Sequence, residues 1–183
     1  RKGELFGVVG ESGCGKTTMG RTVLRLLEPT DGTITFEDTD VTSLNPEELK
    51  KLRRRMQIIF QDPYESMNPR LDVSRIIAEP LRIQGMVRNS HDALPYIERA
   101  LEDVEMTPPE EYFYRYPHEL SGGQRQRIAV ARALALDPEF IVADEPVSML
   151  DVSIRGEILN LMLNLSRERG VTFLYITHDL ATA

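Results

Sequence analysis

Between Val8 and Thr18 the chain reads Val-Val-Gly-Glu-Ser-Gly-Cys-Gly-Lys-Thr-Thr, and this stretch restricts the possible folds more than any other. Gly10, Gly13, Gly15, Lys16 and Thr17 meet the pattern G-x-x-x-x-G-K-[ST]. A loop that wraps a polyphosphate must turn its backbone N–H groups inward, and glycine reaches the required conformations without steric cost. A helix starting directly after the loop adds unpaired amides and the positive end of its dipole, so anionic phosphate settles there. Lys16 can then reach β- and γ-phosphates, and the Thr17 hydroxyl can hold Mg²⁺. The chemistry requires a strand before the loop and a helix after it. Leu5 to Val9 is a short apolar run suited to a buried strand, and Met19 to Leu27 reads as helix with Val23, Leu26 and Leu27 on one face. A nucleotide-phosphate site is expected here. Cys14 stands where the pattern admits any residue and is expected to be a small filler; as the single cysteine, it excludes an internal disulfide.

Downstream, Glu28-Pro29-Thr30-Asp31-Gly32 is a turn cluster and Thr33 to Phe36 a short β-branched strand. Asn45 can cap a helix with Pro46 at its first position and Glu48 at its third, ending in Arg53, Arg54 and Arg55, cations expected to face solvent. Met56 to Phe60 follows as a buried strand that delivers Gln61 and Asp62. Residues 62–121 then turn proline-richer and helical, with Leu94, Ile97, Leu101 and Val104 spaced as one face. They read as a helical lobe inserted between the two halves, 1–61 and 122–183, of an α/β core. Tyr112, Phe113, Tyr114 and Tyr116 are expected to pack within this lobe.

Ser121 is a natural N-cap, and Gly122, Gly123 and Gln124 leave an open helix start that forms a second anion-binding end. That helix should run to about Leu136 and stop before Pro138. Phe140 to Ala143 is an apolar strand ending in Asp144 and Glu145, paired carboxylates suited to Mg-nucleotide hydrolysis: Asp144 for the metal, Glu145 to polarise water. After a turn at Ser148 to Asp151, a helix from about Ser153 to Arg169 buries Ile154, Ile158, Leu161 and Leu165, and Gly170 closes it. Val171 to Ile176 is a last buried strand, placing His178 at its end as a phosphate contact; His91 and His118 have no such placement. Gly10, Gln61, Asp144 and His178 thus all lie at strand ends, where ligands bind in an open parallel sheet.

A chain of 183 residues can bury one core with a sub-lobe. A net charge of −7 argues against a general nucleic-acid binder. No apolar run approaches the roughly 18 residues of a membrane span, and no signal-peptide pattern is present, so a cytoplasmic location is expected.

Together, the loop, Gln61, Leu120 to Gln124, Phe140 to Glu145, Ser148 to Asp151 and His178 resemble the ATP-binding cassette of ABC transporters over the whole chain. The resemblance implies a P-loop NTPase (RecA-like) core with a mainly parallel sheet and an inserted helical subdomain, binding ATP and Mg²⁺. It implies a Walker A loop that includes Glu11, Ser12 and Thr18, and a Q-loop at Gln61, which contacts the metal. Ser121, Gly122, Gly123 and Gln124 become the signature, Asp144 the Walker B aspartate, Glu145 the catalytic base, Asp151 a D-loop residue and His178 the switch histidine. Lys16 and Gln61 would assist catalysis. Phe60 to Tyr64, Ser66, Asn68 to Arg70 and Asp151-Val152-Ser153-Ile154-Arg155 are similar to the ATPases of oligopeptide, dipeptide and nickel importers.

The implied partners are a second cassette packed head to tail, identical or not, transmembrane permease subunits and, indirectly, a solute-binding protein. No nucleic acid is expected, and the chain would sit on the inner face of the membrane through the permease. Pro146-Val147-Ser148-Met149-Leu150 departs mildly from the commoner Pro-Thr-Ser-Ala-Leu. The family normally carries earlier strands with an adenine-stacking aromatic, whereas this chain starts at Arg1 on the edge of the phosphate-loop strand and stops at Ala183 just after His178, so it reads as trimmed at both ends. An ABC-type ATPase acting on nucleic acid or ribosomes, or one serving an importer of another solute, is the alternative. The lack of sustained heptads between Lys16 and Ser121 favours a transporter.

Overall fold

The computed structural model describes residues 2–179, with the backbone alone at Glu65. Its centre is a sheet of four parallel strands in the order β1 (Leu5–Val9), β6 (Thr172–Thr177), β5 (Phe140–Asp144), β4 (Met56–Ile59). Alternation of side chains sorts the apolar residues between two faces. Ile141, Ala143, Phe173 and Tyr175 point into one cluster with the helical lobe, and Val142 and Ile176 point into the other. The strand Leu5–Val9 is not buried as expected: it lies at the sheet edge, and Phe6 is 64% exposed. Among the described residues the strand pairs with one other, β6.

Helix α1 (Lys16–Val23) seats against the second face through Gly20, where an added Cβ would lie 2.8 Å from Ile176 and 2.9 Å from Val142. The helix stops short of the expected Leu27. Arg25 takes φ 48°, the Arg25 and Leu26 N–H groups return to the carbonyls of Thr22 and Arg21, and Leu26 and Leu27 emerge exposed. This is a Schellman-type ending with a non-glycine residue in the left-handed position. The Arg25 guanidinium compensates by donating to the carbonyls of Val41 (3.1 Å) and Leu44 (2.6 Å). The expected strand at Thr33–Phe36 shrinks to β2 (Thr35–Phe36), paired antiparallel with β3 (Thr39–Asp40) apart from the main sheet.

Helix α2 (Pro46–Arg55) starts on the anticipated capping box of Asn45 and Glu48. Of its terminal cations, Arg54 is exposed, but Arg53 donates to the Arg25 carbonyl and Arg55 pairs with Glu37 and Glu139, both at 2.6 Å. The lobe comprises α3 (Pro63–Ser66), α4 (Val73–Ile83) and α5 (Ser90–Asp103), and it packs on α6 (Gly122–Leu134). Ile97, Leu101 and Val104 are buried as the spacing predicts, with Leu94 partly so. Phe113 is buried, but Tyr114 is 80% exposed and so does not join the packing expected of the aromatic group. Helix α7 (Val152–Arg169) buries Ile158, Leu161 and Leu165 and ends at Gly170 in the left-handed conformation.

Gln126, on α6, is 1% exposed, and neither of its amide atoms finds a hydrogen-bond partner among the described residues. An unmade buried hydrogen bond costs about 1–3 kcal/mol, so Gln126→Leu is expected to raise stability by about that range in denaturant unfolding. Glu139 offers a pH test. The hydrogen-bonded Arg55 guanidinium, opposed in part by burial, holds its carboxyl below the usual range. The pair therefore stabilises above ordinary carboxylate pKa values and is lost as pH falls through the lowered one. Glu139→Gln should cost about 0.5–1 kcal/mol at pH 7, with the gap to wild type closing below about pH 4.

Candidate nucleotide site

The four parallel strands end nearly level. Val9 is in register with Thr177, Asp144 with Ile176, and Ile59 with Ala143. The residues that follow each strand are therefore delivered to one edge of the sheet. Gly15 caps α1 with φ 97°, a conformation glycine adopts without a Cβ penalty. Lys16 follows at once, 8% exposed, its Nζ donating to the carbonyls of Gly10 and Glu11 at 2.7 Å each and lying 3.8 Å from Cys14 Sγ. Thr17 Oγ1 donates to Asp144 Oδ1 at 2.9 Å, which ties the loop's helix to β5.

Asp144 is 3% exposed. Burial pushes its carboxyl above the usual range, opposed by the Thr17 hydroxyl and the charge of Arg21. A carboxylate in this position gains most from a cation beside it. No group of three His, Cys, Asp or Glu side chains gathers around a point among the described residues. Mg²⁺ does not require one: it keeps several waters and binds one or two protein oxygens together with phosphate. Asp144 and Thr17 supply such oxygens, and Gln61 lines the same opening of about 480 Å³. The residues fit Mg²⁺. Arg21 lines this opening too and was not singled out from the sequence; its signal was its place four residues after Thr17 on one helix.

Glu145 has φ 47°, a left-handed conformation that costs a non-glycine residue about 1–2 kcal/mol. Its N–H donates to the Ile176 carbonyl at 2.9 Å, and its own carbonyl accepts from Ser148 N at 3.2 Å and Ser148 Oγ at 3.0 Å. The turn redirects the side chain off the line of the strand. Oε1 lies 3.0 Å from His178 Nδ1, and Oε2 accepts from Gln61 Nε2 at 3.2 Å.

Ser12, Gly13, Gly15, Lys16, Thr17 and Thr18 form one wall of a cleft of about 370 Å³, and Gln61, Glu145 and His178 form the other. Gly10 and Glu11 join it through Lys16. The remaining expected residues lie elsewhere. Ser121 caps α6, its Oγ accepting from Gln124 N at 3.2 Å while Gln124 Oε1 accepts from Ser121 N at 3.0 Å. Gly122 and Gly123 form the first turn of the same helix, and Asp151 precedes α7; none of the five borders the cleft. His118 stacks on Tyr116.

The sequence matches the ABC transporter family over residues 1–148. It is 51% identical over 181 residues to the oligopeptide transport ATP-binding protein OppF of Bacillus subtilis, an alignment covering 98% of this chain and 59% of that protein. The chain spans about half the length of the curated peptide-transport relatives it matches. Among solved structures it resembles the ATP-binding cassette MJ0796, described as dimeric and bound to ADP and Pi. That likeness has a TM-score of 0.84 at 32% identity and covers 100% of this chain and 78% of that one. It also resembles cbiO1 from Clostridium perfringens, described as part of an ABC transporter complex, with TM-score 0.84, 27% identity, and 98% and 68% of the two chains covered.

The left-handed Glu145 sets up a stability test. Glu145→Gly removes the Cβ penalty and one of two neighbouring carboxylates, so the unliganded protein should gain about 1 kcal/mol in denaturant unfolding. A loss of stability would show that the side-chain contacts to His178 and Gln61 outweigh the backbone penalty.

Proposed function

The chain belongs to the ABC transporter family, and from that membership we propose that it forms the ATP-hydrolysing part of an importer of oligopeptides, dipeptides or similar solutes. One observation carries the reading: Lys16, Thr17, Gln61, Asp144, Glu145 and His178, drawn from four separate strand ends, meet around one pair of openings. The peptide-like solute is supported by likeness to OppF and by the Phe60–Arg70 and Asp151–Arg155 segments.

The proposed roles follow from the contacts. The backbone of Gly10 to Thr18 cradles the phosphates, and Lys16 exchanges its loop carbonyls for β- and γ-phosphate oxygens. Asp144, Thr17 and Gln61 hold Mg²⁺, which when bound supplies charge neutralisation on the phosphates. Glu145 orients the attacking water and takes up its proton. His178, through Nδ1, holds that carboxylate in place and itself lines the cleft. Gln61, hydrogen-bonded to Glu145 at the mouth of the lobe, links nucleotide to the segment 62–121. We take 1–61 with 122–183 as the core unit and 62–121 as the lobe.

Ser121, Gly122, Gly123, Gln124 and Asp151 stand apart from this chain's own cleft. A second cassette in head-to-tail contact would bring the helix start at Ser121 onto the partner's nucleotide, in keeping with the dimeric description of MJ0796. No helix of the described residues is long and apolar enough to cross a membrane. From the family membership we assign membrane attachment to permease subunits on the inner face, with a solute-binding protein delivering cargo from outside.

Glu145→Gln is expected to retain ATP binding and lose about 10²–10⁴ in turnover, measured as phosphate release. Lys16→Ala should lose nucleotide affinity itself, measured by titration with a fluorescent ATP analogue. Wild-type turnover in the first variant or unchanged affinity in the second would refute the assignment.

A further inference from the structure

We propose that Arg155, in the first turn of α7, is a positioning residue for the Glu145–His178 pair; the inference rests on the ATPase reading above. Two turns carry that pair, one after β5 and one after β6. In the first, Ser148 anchors the Glu145 carbonyl through both its N–H and its hydroxyl, and Leu150 N donates to Val147 O at 3.1 Å. In the second, His178 is followed by Asp179, whose N–H donates to Thr177 Oγ1 at 3.0 Å.

Arg155 reaches both turns. Its Nε donates to the Leu150 carbonyl at 2.9 Å, and its Nη1 lies 3.8 Å from Asp179 Oδ2. With the contact of 3.0 Å between His178 Nδ1 and Glu145 Oε1, this closes a ring: Glu145, Ser148, Leu150, Arg155, Asp179, His178 and back to Glu145. The guanidinium suits the task because it is a flat fork whose donors diverge at fixed angles; a lysine ammonium is a point and serves one partner at a time.

The tie contributes little to stability. The Arg155 and Asp179 side chains are 31% and 40% exposed, and ion pairs in that setting are worth about 0–1 kcal/mol. Its effect falls on geometry. Arg155 borders neither opening of the site, so it acts through the two turns and not on nucleotide in its own chain. A displacement of about 1 Å between reacting groups can cost about 10²-fold in rate, and a slackened ring is expected to cost about tenfold.

The test compares Arg155→Met, Arg155→Lys, Asp179→Asn and the double variant Arg155→Met/Asp179→Asn, with Glu145→Gln as reference. Steady-state kcat and KM for ATP are measured alongside thermal unfolding. Each of the three single substitutions should lower kcat about tenfold with KM within about twofold, since the Lys16 loop is untouched. The double variant should be no slower than Arg155→Met, because both changes open the same ring. A kcat within about twofold of wild type in both Arg155→Met and Asp179→Asn, losses that multiply in the double variant, or a KM rising in step with the kcat loss would overturn the proposal. Should Arg155→Met fail to fold, Asp179→Asn decides alone. A Glu145→Gln protein that keeps full turnover overturns the ATPase reading first, whatever the Arg155 variants do.

Discussion

Parallel pairing with level strand ends is the constraint on which the site depends. Along β1, β6, β5 and β4 the register sets Val9 beside Thr177, Asp144 one step behind beside Ile176, and Ile59 a further step behind beside Ala143. β4, β5 and β6 carry buried apolar residues, and a slip of one residue would turn that set toward the wrong layer, while β1 is held by its pairing with β6. Hydrophobic packing therefore fixes the axial position of every group that follows a strand. Lys16, Gln61, Glu145 and His178 are thereby brought to line one cleft. The direct bonds, Thr17 to Asp144 and Glu145 to His178 and Gln61, refine a placement that the sheet has already made.

The sheet and the lobe are not independent of one another. One apolar cluster runs from Ile76, Ile77 and Leu81 of α4 through Ile97 and Leu101 of α5 to Ile128 and Val130 of α6, and on to Ile141 and Phe173 of the strands. Arg132 of α6 adds polar ties, donating to the Ser66 carbonyl at 2.7 Å and to Glu79 at 2.8 Å. Helix α6 thus serves both layers along its length, and Ser121 caps its start. A shift of the lobe that repacks this cluster also moves that helix start.

Features governed by short-range rules were legible in the sequence. The Asn45–Glu48 capping box, the Ser121 cap, the Gly170 ending and the spaced apolar faces of α5 and α7 all follow from local periodicity and side-chain hydrogen bonding. The strand–loop–helix order of β1, residues 10–15 and α1 was legible for a related reason, because the phosphate chemistry proposed for that loop demands residue types at fixed spacing. What escaped depended on distant partners. Periodicity carried α1 on to Leu27, whereas Arg25 ends the helix by reaching carbonyls on the far side of the β2–β3 hairpin. Three arginines in a row look solvent-bound, yet Arg55 finds Glu139, 84 positions away. Nothing local marks Glu145 as left-handed; the Ile176 carbonyl and Ser148 impose it.

That last feature bears on how such a chain evolves. At position 145 the residue that suits the backbone and the residue proposed for the chemistry differ, so selection for folding and selection for turnover pull in opposite directions there. A library screened only for soluble yield or heat resistance would drift toward small, flexible residues at this one position and collect proteins that fold well and do nothing. A glutamate on so uncomfortable a backbone is what selection for something other than stability would leave.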